Sequence, residues 1–285
     1  MYPNRFEYFA PTSLQEALSL LSIYQDEAKL LAGGQSLLSL MKLRLANPKY
    51  LIDLGHIADL NYIRQNGDKI AIGAMTTYAQ IKDSELLRKD CPLLVKTASV
   101  VGDVQVRNRG TIGGSLSHAD PAADMPAAVL ASGAELKAVH LNGERWIKAE
   151  EFFVTTFTTA LAPNEILTEI RAPTLAGHKT IYLKAAPRPT DFAIVGIAAC
   201  LRLGPNNRCE GIAMEVTGAS DKAYRPQALE KALQGEKLDF YTIREAAARV
   251  TEGIEVNENI HASSGFRSHL AQVYTARAIQ TAMNS

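Results

Sequence analysis

Residues 107–124 read Arg107-Asn-Arg-Gly-Thr-Ile-Gly-Gly-Ser-Leu-Ser-His-Ala-Asp-Pro-Ala-Ala-Asp124. A glycine pair, Gly113 and Gly114, stands between the β-branched pair Thr111-Ile112 and Ser115. Without a Cβ, glycine lets the backbone take positive φ and lets a ligand come close. A turn of this kind points successive N–H groups into one concavity and makes an anion site. Ser115 adds a hydroxyl donor at its rim. Asp120-Pro121 then reads as a helix opening, with Asp120 as N-cap and Pro121 in the first helical position.

The same device occurs once earlier. Lys29 to Ser36 reads Lys-Leu-Leu-Ala-Gly-Gly-Gln-Ser, an apolar run that ends in Gly33-Gly34 before a hydroxyl residue and a helical-looking segment. Two such turns can hold the two phosphates of a dinucleotide from opposite sides. Each is equally an ordinary tight turn. No Gly-x-Gly-x-x-Gly and no Walker loop occurs, so the phosphate mode is not Rossmann-like.

The chain resembles the FAD-binding medium subunit of the molybdenum hydroxylases, the family of xanthine, carbon monoxide, quinoline and aldehyde dehydrogenases. The resemblance spans nearly the whole chain. It rests on Ala32-Gly-Gly-Gln-Ser36, Lys42-Leu-Arg-Leu45, Val106-Arg-Asn-Arg-Gly-Thr-Ile-Gly-Gly-Ser115, Asp120-Pro-Ala-Ala-Asp124, and Lys184 through Arg188 to Asp191-Phe-Ala. It implies an α+β fold: a two-subdomain FAD-binding domain of the vanillyl-alcohol-oxidase type, followed by a small domain with a three-stranded antiparallel sheet and helices. The expected boundaries are 1–57, 58–175 and 176–285.

Composition agrees with a globular protein. The chain has 285 residues, 47% hydrophobic and 21% charged, long enough for two or three packed units. Lys+Arg equals Asp+Glu at 30 each, which argues against a nucleic-acid or membrane-surface role driven by bulk charge. The N-terminus lacks a signal-peptide core, and no apolar run reaches the length of a membrane span. Cys91, Cys200 and Cys209 form no Cys-x-x-Cys, so neither a disulfide framework nor a zinc or iron–sulfur site is expected here, and a cytoplasmic location fits.

Along the chain, Ser13-Leu-Gln-Glu16 and Thr77-Tyr-Ala-Gln80 are capping boxes that start helices. Ser36 is expected to cap a helix over 37–45, in which Lys42 and Arg44 read as a solvated edge or as ligand contacts. Strands are expected at 29–32, 50–54, 69–74, 135–140, 145–147 and 165–170, with Asn142-Gly143 as a hairpin turn and Trp146 as a packing residue. A helix should run from Cys91-Pro92 to about Val101. Beyond a boundary near 173–178, strands are expected at 181–184, 194–203 and 212–216. Helices should follow at 226–233, 241–252 and 265–283, the last capped by Ser264.

The polar residues admit two readings. Asp124 favours the macrodipole of its helix, and the resemblance implies that it also accepts a hydrogen bond from the flavin's sugar-like chain. Lys184, Arg188 and Asp191 form a charged loop in which a surface salt bridge is the plain account. The resemblance instead puts Lys184 and Asp191 near the flavin ring, where a cation stabilises reduced, anionic flavin, with Phe192 beside the ring. His118 sits by the second glycine turn. His56, His140, His178, His261 and His269 make no metal spacing with one another.

The resemblance therefore implies non-covalent FAD held by Leu31, Ala32, Gly33, Gly34, Gln35, Ser36 and Leu37 on one side. Thr111, Gly113, Gly114, Ser115, His118 and Asp124 lie on the other, with Lys184, Asp191 and Phe192 at the ring. No catalytic residue and no metal ligand is expected in this chain. Molybdopterin is expected on a large partner chain and two [2Fe-2S] clusters on a small one, in a dimer of heterotrimers. A stand-alone flavin oxidoreductase and a non-catalytic phospho-ligand module are the other readings.

Overall fold

The computed structural model describes residues 2–284. Three layers succeed one another along the chain. The first is a small parallel sheet in the order Glu7–Phe9, Tyr50–Asp53, Ala28–Leu31. Helix Leu14–Tyr24 covers it with Ala17, Leu18 and Leu21, which pack with Ile52 and Ala28. The Ser13 side chain takes the Glu16 amide at 3.2 Å, and the Glu16 carboxylate reaches back to the Thr12 amide at 3.1 Å. Tyr24 stacks on Tyr50 with ring centroids 3.8 Å apart, closing one end of this layer.

The second layer is an antiparallel five-stranded sheet. Its order is Ile63–Asn66, Lys69–Gly73, Ile166–Pro173, Glu135–His140, Gly143–Lys148. Ile70, Ile72, Leu136 and Ile170 point to the core, where they meet Leu93, Leu94 and Leu116. Period-2 alternation puts charge on the opposite face, where the Arg171 guanidinium lies 3.7 Å from the Trp146 ring centroid. Thr77 closes its capping box with Gln80, and Pro92 occupies the first turn of helix Pro92–Ser99, both as the sequence predicts.

The third layer is the expected antiparallel sheet of Lys179–Ala185, Val195–Leu203 and Cys209–Thr217. Its middle strand is buried on both faces. Val195, Ile197, Ala199 and Leu201 face Ala271, Ala278 and Ile279 of helix Ser264–Met283. Ala198 and Cys200 face the core of the second layer. Helices Gln227–Leu233 and Phe240–Ala247 complete this end of the protein.

Three expectations are corrected. The last helix is capped by Ser263, whose oxygen takes the Phe266 amide at 3.3 Å, not by Ser264. Ser36 makes no side-chain cap, and its helix is the short Leu37–Lys42. Asp120-Pro121 opens no helix. Ala119, at φ 51°, ends the preceding helix in the left-handed region, and the Asp120 carboxylate takes the Ala122 amide at 2.8 Å. The next helix starts at Asp124, behind Ala123.

Candidate functional site

The first glycine turn supplies free donors. Strand Ala28–Leu31 runs into Ala32 and Gly33, and the chain reverses at Gly34, where φ is +75°. A β-branched residue would be strained there. Among the described residues, the amides of Gly33, Gly34, Gln35 and Ser36 donate to no protein acceptor. Four successive N–H groups of this kind are what a phosphate takes up. The exposed Gln35 side chain only brushes Gly33 O, its Nε2 donating at 3.5 Å. Leu31, Ala32 and Leu37 flank the turn half-buried.

The second glycine pair works differently from the sequence expectation. Gly113 and Gly114 lie inside helix Ile112–His118. The amides of Ile112, Gly113 and Ser115 donate to Thr76 O, Ala74 O and Thr111 O at 3.0, 2.9 and 3.1 Å. The Gly114 amide donates to Thr111 Oγ1 at 3.1 Å. No concavity of free amides remains there. These glycines are instead places of close approach. A Cβ on Gly113 would fall 2.5 Å from the Ala74 methyl, and one on Gly114 3.2 Å from the Ala32 methyl. From the other side, a Cβ on Gly33 would fall 2.1 Å from Arg109 O. The missing side chains let the two turns close on each other.

The second turn is stiffened from behind. Buried Tyr78 shares a hydrogen bond with Ser115, and burial holds the phenol well above its ordinary range. His118 packs on Phe157, ring centroids 5.0 Å apart, and its partial burial lowers its pKa.

Asp124 and Lys184 form a buried pair, not a surface salt bridge. Both side chains are 5% exposed. Lys184 Nζ donates to Asp124 Oδ2 at 3.2 Å, to Val100 O at 2.6 Å and to Asp191 O at 3.1 Å. The other carboxylate oxygen, Oδ1, accepts the Tyr182 hydroxyl at 2.5 Å. Burial is the largest influence on the Asp124 carboxyl and pushes its pKa up; Lys184 and Tyr182 pull it back. The Tyr182 phenol is pushed well above its usual value, first by burial and then by the Asp124 charge. Lys184 thus touches the backbone of Asp191, and Phe192 next to it is 61% exposed.

Sequence reasoning did not find Tyr78 or Tyr182. Each reads as an ordinary core aromatic at its element's period, and Tyr182 is 58 residues from the carboxylate it meets. Among the described residues no group of three or more His, Cys, Asp or Glu is placed to hold a metal ion. No helix among the described residues is long and apolar enough to cross a membrane. The three cysteines are free and buried.

A run of free amides closed against a second backbone segment suits a ligand with a pyrophosphate. Residues 4–175 match the family described as the FAD binding domain in molybdopterin dehydrogenase, and residues 181–282 match the CO dehydrogenase flavoprotein C-terminal domain. The chain belongs to the FAD-binding subunits of the molybdenum hydroxylases. It is 37% identical to the glyceraldehyde dehydrogenase medium chain of Sulfolobus acidocaldarius over 280 residues, 98% of this chain and 99% of that one. It is likewise 37% identical to the carbon monoxide dehydrogenase medium chain of Hydrogenophaga pseudoflava over 283 residues, 99% and 98% of the two chains.

Among solved structures it superposes on carbon monoxide dehydrogenase from Hydrogenophaga pseudoflava with a TM-score of 0.97 at 38% identity, covering 100% of this chain and 99% of that one. Quinoline 2-oxidoreductase from Pseudomonas putida 86 gives 0.95 at 34% identity, with the same coverage. The flavin subunit is thus an oxidoreductase component that carries FAD, and its C-terminal layer is the antiparallel sheet expected of the family.

Proposed function

We propose that this flavin subunit works in a heteromeric molybdenum hydroxylase and passes electrons from [2Fe-2S] clusters on a small partner chain to an external acceptor. A large partner chain would carry molybdopterin and oxidise the substrate. Dimers of such heterotrimers, located in the cytoplasm, complete the reading. The observation that carries it is the row of four free amides at Gly33–Ser36, set against the Gly113–Gly114 wall in a chain of this family.

FAD, when bound, supplies a two-electron centre that can exchange single electrons with the clusters. The residues of this chain bind and orient it. The amides of Gly33, Gly34, Gln35 and Ser36 take the pyrophosphate, with Leu31, Ala32 and Leu37 beside them. Thr111, Gly114, Ser115 and His118 shape the facing wall. Lys184 holds a positive charge near the ring, where it favours the reduced, anionic form, and Asp124 fixes that charge in place. Asp191 and Phe192 border the ring from their loop. The same reading divides the chain at 57 and 175, and the gap between the two family matches, from 175 to 181, supports the second division.

The test is to express the chain tagged, in its native host, and to recover what comes with it. One FAD per chain, together with chains that carry molybdenum and iron, is the expected result. A flavin-loaded chain that turns over aldehydes, purines or N-heterocycles alone, with no metal present, would refute the subunit assignment.

A further inference from the structure

We infer that Arg267, far along the chain and assigned to no site above, is the residue that positions Lys184 against the flavin; the inference rests on the FAD reading just given. Arg267 stands in the first turns of helix Ser264–Met283 and is 4% exposed. It pairs with no carboxylate among the described residues. A buried cation without a counter-ion is unfavourable, so its retention asks what it holds. Its Nη1 donates to two carbonyls, Ile194 O at 2.7 Å and Gly218 O at 2.5 Å. Its Nη2 donates to Asn259 Oδ1 at 2.8 Å, and Nε has no partner.

Each of the two carbonyls begins a route to the same ammonium group. The first runs through the loop before Ile194. The Ile194 amide donates to Ala185 O at 2.8 Å and so closes that loop, inside which Asp191 O accepts Lys184. The second runs through Gly218. Its amide donates to Pro121 O at 2.8 Å, and the Thr217 hydroxyl bonds Pro121 O and Ala123 O at 2.8 and 2.9 Å. That holds the backbone immediately before Asp124, a second acceptor of Lys184. The routes also touch each other, since a Cβ on Gly218, at φ +84°, would fall 2.6 Å from Ile194 O. A planar guanidinium can face both carbonyls at once, whereas a lysine ammonium at this site has no fixed fork. Arg267 therefore fixes, at once, two of the three groups that hold Lys184 in place.

The experiment uses the full-length chain reconstituted with FAD, as wild type and as Arg267→Met, Arg267→Gln and Leu270→Ala. Leu270 sits on the same helix and packs against the C-terminal core, so its loss destabilises without touching the two carbonyls. All four proteins should bind one FAD per chain, because the phosphate turn is untouched. Both Arg267 variants should lower the two-electron midpoint potential by about 30 mV or more, the shift equivalent to a tenfold loss in relative affinity for reduced FAD. Leu270→Ala should lower Tm and leave the potential where it was. If Arg267→Met does not fold, Arg267→Gln carries the same readout, and so does Thr217→Val, which removes the hydroxyl bonds to Pro121 O and Ala123 O on the second route. Potentials equal to wild type in the Arg267 variants, or an equal shift in Leu270→Ala, overturn the inference while leaving the FAD assignment standing. A wild-type chain that takes up no FAD overturns both.

Discussion

Gly33 lies against the backbone of Arg109, so close that a single methyl on the glycine would penetrate the Arg109 carbonyl oxygen at 2.1 Å. The contact brings together two segments 76 positions apart in sequence. The first glycine turn is therefore held at its distance from the second by backbone rather than by flexible side chains.

Gly33→Ala should push the turns apart. A clash with backbone leaves no rotamer to relieve it, and overpacking of this kind costs about 1–3 kcal/mol. The expected outcome is a folded chain with a lowered Tm and a flavin-to-protein ratio well below one, read by absorbance beside circular dichroism. Gly265→Ala is the control. Its Cβ would enter open space within a helix, so it should keep full flavin.

The Asp124–Lys184 pair predicts strong non-additivity. Lys184→Met leaves a buried carboxylate whose only remaining side-chain donor is Tyr182, a loss of about 3–5 kcal/mol. Asp124→Leu alone leaves a buried ammonium with the Val100 and Asp191 carbonyls as acceptors but with no opposite charge. The double variant should be less destabilised than the sum, with a coupling of about 0.5–3 kcal/mol in urea unfolding of the flavin-free chain. Strict additivity would mean that the two charges act independently.

Much of this was legible in advance, and the misses share a cause. The Thr77 capping box, the Asn142-Gly143 hairpin and Pro92 at a helix start are local: a few neighbouring residues contain the whole physical reason. Strand Glu7–Phe9 escaped because its residues are mostly exposed and it pairs in parallel with Tyr50–Ile52, more than 40 positions away. Asp120-Pro121 had the composition of a helix start, but its carboxylate is satisfied within one turn by the Ala122 amide. Gly113-Gly114 misled for a similar reason. A glycine pair announces that backbone comes close to something, and it does not say whether that something is a phosphate or Ala74.

Stability should fall as pH rises through the neutral range because of Glu215. This carboxyl is 4% exposed, and burial pushes its pKa up from 4.5 to about 8, with Arg225 pulling it down and Glu230 and Glu150 adding to the rise. The folded chain thus holds a proton that the unfolded chain releases. The stabilisation is complete below about pH 4.5 and is lost as pH climbs to about 8, by at most about 1.4 kcal/mol per pH unit. Glu215→Gln, which keeps a neutral side chain of the same shape, should flatten that part of the profile in urea titrations. An unchanged slope would show that Glu215 is ionised in the folded protein.

The three thiols should be silent in the native chain. All are buried, and burial raises the pKa of Cys91 and Cys200 to about 12, so almost no thiolate exists at neutral pH. Ellman's reagent should label none of them over an hour in native buffer and three per chain in guanidinium. Rapid native labelling of any one would show that its layer opens locally.

The strand Val195–Leu203, buried on both faces, also dictates when the site comes into being. Tyr182 and Lys184, the partners of Asp124, belong to the strand beside it, and Arg267 lies farther still toward the C-terminus. During synthesis the two glycine turns leave the ribosome long before these residues exist. Until they arrive, the Asp124 carboxylate lacks its Lys184 partner, and helix Pro92–Ser99 lacks Ala198 and Cys200 of the core it packs in. On the proposed reading, loading with FAD is therefore an event of the finished chain, and a ribosome-stalled fragment ending before residue 179 would present the Gly33–Ser36 turn without Lys184.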